Sequence, residues 1–210
     1  MIQNHETIPA LEKRYRANLI NSLGGFKSLV LIGTRHDEGT ENLATFSSLF
    51  HLGADPALCG IIIRPGEPDR NTLDNILRQK HYTINHVQPS FFKQAHQCSA
   101  RYAPGESEFA ATGLTPLYEA GISAPFVKES VIRFACKLEQ VVPIELNGTT
   151  LVIGKIIYIV LPDECVGADG FIDIEKAQTV TCSGLDSYHI SKRLARLSYA
   201  KTDRPVTEVG

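Results

Sequence analysis

Residues 131–161 limit the fold more than any other stretch of the chain. Ile132, Phe134, Cys136 and Leu138 alternate with Arg133, Lys137 and Glu139. A period of two is the mark of a strand with one face in a core and the other in solvent. Asn147-Gly148 then supplies the dipeptide favoured in a type I′ turn. Residues 149–161 return as a strand that is apolar on both faces. The reading is a long β-hairpin whose return strand is buried twice. A barrel interior takes one face, and a dimer interface is the candidate for the other.

The rest of the chain fits around that hairpin. Residues 28–34 form a β-like apolar run, and the charged stretch 35–41 with Gly39 connects it to a second strand over roughly residues 42–52. A third strand, residues 58–63, follows Asp55-Pro56. Short apolar strands with tight connections describe an antiparallel meander. The Pro/Gly-rich run 64–70 is a turn, after which Leu73, Ile76 and Leu77 recur at helical spacing with Asp69 or Asn71 available as a cap. A strand over residues 81–87 comes next. Then a helix begins at Ser90 with Phe91, Ala95, Cys98 and Tyr102 on one face. Residues 103–130 read as a long excursion over the barrel, and loops of that length are usually functional or shape an interface. A short helix is expected around residues 11–19, strand and turn over 169–188, and a helical tail after that. The expected architecture is mainly β, an antiparallel split β-barrel with a few peripheral helices. It forms a single domain over residues 1–210, with 1–14 as lead-in and 191–210 as tail.

Composition removes several function classes. The 210 residues carry a net charge of -2, with 43% hydrophobic residues, and the pI is about 6.4. A nucleic-acid binder is expected to be basic, and the densest basic group here, Lys192, Arg193, Arg196 and Lys201, reads as the solvated face of a short helix. The first seven residues are polar and lack the layout of a secretory signal. The greasiest run, residues 151–161, is too short to span a bilayer and contains Lys155. A soluble, cytoplasmic protein with no nucleic-acid or membrane partner is expected. Cys59, Cys98, Cys136, Cys165 and Cys182 are odd in number and scattered, so they read as small buried hydrophobes rather than a disulfide framework. There is no G-x-G-x-x-G, no Walker A sequence and no G-x-S-x-G elbow. His81 and His86 fall on opposite faces of a strand, and His36 is in a polar turn, so no metal site is expected. Glu106, Glu108, Asp163 and Glu164 read as surface charge.

Two segments carry chemistry. Residues 42–48, Asn-Leu-Ala-Thr-Phe-Ser-Ser, are a strand studded with small hydroxyls, able to offer amides and hydroxyls to a flat polar ring. Arg70-Asn71-Thr72 stands where a helix begins, and a helix N-terminus suits a phosphate. Arg70 can add a bidentate charged hydrogen bond and Thr72 a hydroxyl. A capped helix beside a half-exposed strand explains the same residues, so the pattern alone leaves both readings open.

In order and spacing these segments resemble the flavin reductase-like family of FMN-binding split barrels, which includes the flavoredoxins. The likeness runs over about residues 15–190. It rests on Asn42-Leu43-Ala44-Thr45-Phe46-Ser47, then Pro56-Ala57-Leu58, Arg70-Asn71-Thr72 before Asn75-Ile76, and Tyr82-Thr83-Ile84-Asn85. It continues through Glu108-Phe109, Gly113-Leu114-Thr115 and the context of Tyr188. The resemblance implies FMN as cofactor and NAD(P)H as electron donor. It places Ala44 and Thr45 along the ring edge, Ser47 and Ser48 at the ring or ribityl chain, and Arg64 near the ribityl-phosphate end. Arg70, Asn71 and Thr72 take the phosphate, and Tyr102 and Tyr188 flank the ring. No catalytic side chain is implied, because the flavin carries its own reactive atom. The implied activity is hydride transfer from NAD(P)H to FMN, with electrons passed to an acceptor by a homodimer. The alternatives are a flavoredoxin-like carrier serving a redox partner protein and a split barrel that binds flavin without turnover. The sequence departs from the family at Ser48, where relatives carry an aromatic residue, and at residues 182–185, where many show R-L-G-G.

Overall fold

The computed structural model describes residues 2–66, 71–103 and 105–209. Its strands are β1 (Lys27–Ser28), β2 (Val30–Arg35), β3 (Glu41–Phe46), β4 (Phe50–Ala54), β5 (Ala57–Ile63), β6 (His81–His86), β7 (Pro116–Leu117), β8 (Phe126–Val127), β9 (Arg133–Ile144), β10 (Thr149–Val160), β11 (Val180–Ser183), β12 (Ser187–Ile190), β13 (Arg196–Leu197) and β14 (Glu208–Val209). The helices are α1 (Lys13–Leu23), α2 (Asn71–Gln79), α3 (Phe92–Gln97) and α4 (Glu108–Thr112). The fold is mainly β with few helices, and its strand pairs are antiparallel.

One sheet of seven strands dominates, in the order β3-β2-β6-β9-β10-β5-β4. Its concave face gathers Val30 and Ile32 of β2, Ile61 and Ile63 of β5, Tyr82 and Ile84 of β6, Cys136 of β9 and Val152 of β10 into one core. Strands far apart in the order meet there, so the sheet curls on itself. Leu73 and Ile76 of α2 close one end of that core, which is why the 3.6 period after residue 70 is apolar on one side only. The convex face of β2 and β3 carries Leu31 and Leu43, packed under Phe91, Ala95 and Phe109 from α3, α4 and their flanks.

The long hairpin is present as β9 and β10, with Phe134, Cys136 and Leu138 on the inner core. Its turn differs from expectation. Ile144 pairs with Thr149, so the loop has four residues, and only Gly148 takes a positive φ, 70°. A type I′ turn needs positive φ at both central residues. Here the Ile144 carbonyl accepts the Gly148 amide at 2.9 Å, and Asn147 Oδ1 accepts from the backbone N and hydroxyl of Thr149. The return strand is also not buried twice within the chain: Ile157 is 40% and Ile159 58% exposed.

Four other expectations are corrected. The strand drawn over residues 42–52 is two strands, β3 and β4, broken at Ser47–Leu49 by side-chain bonds of Ser48. The first helix is displaced to α1, because Glu12 caps it by accepting the Arg14 and Tyr15 amides at 2.9 Å each. The helix after Ser90 stops at Gln97, leaving Tyr102 beyond it with its hydroxyl donating to the Gln97 carbonyl at 3.3 Å. The tail is not helical. Arg193 and Arg196 bond Asp173 and Asp169 at 2.9 and 2.5 Å and lie over the Phe171 ring, and β13 pairs with β14. An extended chain lets both guanidiniums reach the same ring. Asp69, a candidate helix cap, lies outside the described residues. All five cysteines are free and buried.

The excursion is tied to the sheet rather than laid loosely over it. Gly33 of β2, Thr83 of β6 and Ala135 of β9 stand side by side on the convex face, a row of small residues. Into that groove come Pro125 and β8. Thr83 donates its hydroxyl to the Pro125 carbonyl at 2.5 Å, and buried Asn85 accepts the Val127 amide at 2.9 Å. Asn85 also donates to the Leu31 carbonyl at 3.1 Å. A Cβ on Gly33 would run into the Pro125 carbonyl oxygen and the Thr83 hydroxyl. Overpacking of this kind costs about 1–3 kcal/mol. Gly33→Ala is therefore expected to lower unfolding free energy by roughly 2 kcal/mol in urea titration; an unchanged midpoint would mean that the excursion yields freely.

Candidate functional site

β3 is an edge of the seven-stranded sheet, so its outer N–H and C=O groups need partners. Two side-chain bonds tie that edge to α3 and α4. Glu108 accepts the Leu43 amide at 2.9 Å, and Thr45 donates its hydroxyl to the Ala95 carbonyl. Past β3 the chain turns toward β5. Ser48 Oγ accepts the Ile62 amide and donates to the Ile62 carbonyl, both at 3.0 Å. One hydroxyl thus stands in for a ladder residue, carrying the β4–β5 register (Phe50 opposite Gly60) two residues further and holding the β3–β4 connection to β5.

Between these anchors lies a cavity of about 900 Å³. Ala44, Thr45, Ser47, Ser48, Arg64, Asn71, Thr72, Tyr102 and Tyr188 all line it. The structure thus brings together every candidate from the sequence except Arg70, which lies outside the described residues. The two ends of the cavity differ in chemistry.

One end is the start of α2 with Arg64 and Gly66 beside it. The first N–H groups of a helix have no intrahelical partner and face the positive end of its dipole. A buried amide network sets the Thr72 hydroxyl there. Asn42 Nδ2 donates to Thr72 Oγ1 at 3.2 Å and to Thr34 Oγ1 at 3.0 Å, and Asn75 Nδ2 donates to Thr34 Oγ1 at 3.1 Å. Since Thr72 Oγ1 accepts from Asn42, its own proton is left to donate. Arg64 is exposed and touches Asn21 of α1 at 3.4 Å.

The other end is aromatic. Tyr188 of β12 lies 5.7 Å from the Phe92 ring and 5.7 Å from the His96 ring, and its hydroxyl meets His96 Nδ1 at 2.5 Å. Burial pushes the Tyr188 hydroxyl above the ordinary tyrosine value. Cys98 and Cys182 also line the cavity. Burial raises both thiols, Cys98 to about 11, so neither is a thiolate near neutral pH.

The engaged hydroxyls refine what two candidates can offer a ligand. Ser48 uses its proton and a lone pair on Ile62, and Thr45 uses its proton on Ala95. Backbone groups and remaining lone pairs are what they present. Sequence reading missed Asn42 as the bracket that aims Thr72, Asn75 as its companion on Thr34, Glu108 as a partly buried group, and His96 as the partner of Tyr188. Asn42, Asn75 and Glu108 all lie in the quoted motifs, but nothing in a linear pattern says that a motif residue braces the site. Among the described residues no group of three or more His, Cys, Asp or Glu side chains comes together to hold a metal, and no helix is long and apolar enough to cross a membrane.

A curled antiparallel sheet with a helix N-terminus facing an aromatic wall across one cleft defines a β-protein suited to a phosphorylated planar ligand. The chain belongs to the flavin reductase like domain family, whose model matches residues 23–172. The fold is shared with a candidate flavin reductase with a split barrel domain from Shewanella frigidimarina NCIMB 400, at a TM-score of 0.91 and 51% identity over 95% of this chain and 100% of that one. Nitrilotriacetate monooxygenase component B from Bacillus cereus superposes at 0.83 with 21% identity, covering 94% of this chain and 98% of that one. The flavoredoxin of Desulfovibrio vulgaris (Miyazaki F) superposes at 0.69 with 23% identity, over 85% and 91%. Membership in the family implies an oxidoreductase that binds flavin.

Ser48→Ala separates bracing from ligand contact. Loss of both Ile62 bonds is expected to cost about 1–3 kcal/mol of stability in the ligand-free protein, read as a lower thermal midpoint. An unchanged midpoint would leave the Ser48–Ile62 bridge without energetic weight.

Proposed function

We propose that this chain is an FMN-binding oxidoreductase of the flavin reductase type. It accepts hydride from NAD(P)H and passes electrons to an acceptor. It works as a soluble, cytoplasmic homodimer whose residues 1–210 form one split-barrel domain. The observation that carries the reading is the two-ended cavity, with a helix start and hydroxyl at one end and an aromatic pair at the other.

The residues present fit a flavin mononucleotide. Thr72, aimed by Asn42, donates to the phosphate, the α2 amides of Asn71 and Thr72 face it, and Arg70 and Arg64 supply charge. Ala44, Thr45 and Ser47 present strand β3 to the ring, while Ser48 holds the strand in place. Tyr188 and Tyr102 wall the far end. Bound flavin supplies the hydride-accepting atom, so the protein needs no nucleophile of its own. That agrees with cavity cysteines that remain protonated. Ile157 and Ile159 on β10 give an exposed apolar face for a second copy.

The decisive experiment is the visible spectrum of the protein with added FMN, before and after anaerobic NADH or NADPH. Tight binding followed by bleaching of the flavin band is the expected result. Binding without bleaching would favour an electron carrier, and no binding would overturn the reading. Arg70→Ala is expected to weaken FMN binding at least about tenfold, since a charge-assisted bond is worth about 1.5–3 kcal/mol, while Arg14→Ala leaves it unchanged. Equal affinity in wild type and Arg70→Ala would move the phosphate elsewhere. Light scattering is expected to give twice the 23.1 kDa chain mass, and Ile159→Glu to shift it toward one chain. A single species at monomer mass in the wild type would remove the dimer.

A further inference from the structure

Glu108 is braced on one side and faces the cavity on the other. Its carboxylate accepts the Leu43 amide at 2.9 Å and is also held by its own backbone N–H. An ionised carboxylate has about four lone-pair sites, so acceptor capacity remains. The side chain is partly buried and lines the cavity. Burial pushes its carboxyl above the ordinary value, which marks a charge short of water and of donors. The nearest charges bearing on it are His36, which opposes the shift, and Glu106, which adds to it.

Its position along β3 says what could supply those donors. Leu43 follows Asn42, which reaches Thr72 at the α2 end, and precedes Ala44 and Thr45, which also line the cavity. Glu108 therefore lines the cavity beside the stretch of β3 that runs from the Thr72 contact to Ala44 and Thr45. A phosphate there would meet a like charge. The carbonyl edge of a flavin ring offers a single N–H donor flanked by two carbonyl acceptors that a carboxylate repels. A chain of hydroxyl groups brings donors. We propose that Glu108 is a specificity residue for the polyhydroxyl chain that links ring to phosphate, accepting hydrogen bonds from its hydroxyls. This rests on the flavin reading of the cavity.

Glu108→Gln tests it. The amide oxygen can still accept from Leu43, but the other acceptor becomes an NH₂ donor. Three ligands are titrated by fluorescence: FMN, riboflavin, and lumiflavin, which has a methyl group in place of the chain. Thermal melting of the ligand-free variant is followed alongside. The expected result is an affinity loss of about tenfold for FMN and riboflavin alike, the scale of one hydrogen bond to a charged group. Lumiflavin affinity and the melting midpoint should stay as in wild type. Unchanged FMN affinity would overturn the proposal. So would an equal loss for all three ligands, which would show Glu108 acting on the ring or through β3 and not on the chain; Glu108→Ala, which removes the Leu43 bond as well, provides the reference for the effect through β3. A wild-type protein that binds none of the three would defeat the flavin reading itself, whereas binding of all three with no effect of Glu108→Gln defeats this proposal alone.

Discussion

The hydroxyl of Ser48 holds open the space on which everything else depends. A seven-stranded antiparallel sheet that curls on itself would, with full closure, join its two edge strands, β3 and β4, by a backbone ladder and fill its seam. Here the ladder stops, and one side chain bonds both main-chain groups of Ile62. The seam is pinned at a point instead of zipped along its length. The outer edge of β3 is then met by side-chain bonds from α3 and α4 and not by another strand. A ligand cleft beside a strand edge needs such a compromise, because an open edge left alone invites pairing with another chain.

The same economy governs the buried amides. Asn42, Asn75 and Asn85 are nearly inaccessible and hydrogen-bonded to named partners. A buried amide is costly unless its groups are satisfied, and once satisfied it fixes geometry more sharply than an apolar contact. Asn42 and Asn75 converge on Thr34 and set the hydroxyl that faces the helix start. Asn85 reaches the excursion, whose α4 in turn supplies the carboxylate that holds β3. Cleft and scaffold are thus braced by separate hydrogen-bonded groups on β2, α2, the excursion and α4.

Much of the fold was legible in the sequence because strand alternation and helical periodicity report burial directly. The β9–β10 hairpin, α2 and β6 follow their patterns closely. What failed, failed where long-range contacts decide. The split of residues 42–52 depends on Ile62, and no local pattern marks Ser48 as a bridge. The turn at residues 145–148 is set by the register of its strands, not by the Asn-Gly dipeptide alone. The tail contains spacing that suits a helix, yet its arginines gain more from Asp169, Asp173 and Phe171. The candidate residues of the cavity came from resemblance and spacing together, and the structure brings all the described ones to a single cleft. Glu108, in a loop-rich stretch, and His96, on a short helix, stayed hidden because a charged or titratable residue looks like surface until its partner is known.

Bracing and contact are divided between different residues, and this division bears on how such a fold can vary. Changing a satisfied buried amide leaves its partner unpaired, at a cost of about 1–3 kcal/mol per group, a sizeable part of ordinary domain stability. The aromatic end is built otherwise. His96 and Leu185 are exposed and Tyr188 is only partly buried, so substitutions there disturb little that the fold requires. A structure at a TM-score of 0.83 with 21% identity shows how far sequence can drift while the backbone stays. The physical expectation is that drift is cheapest at the aromatic wall and most expensive at Asn42, Asn75, Asn85 and Gly33. A barrel organised this way can change what it receives at one end without rebuilding the grip at the other.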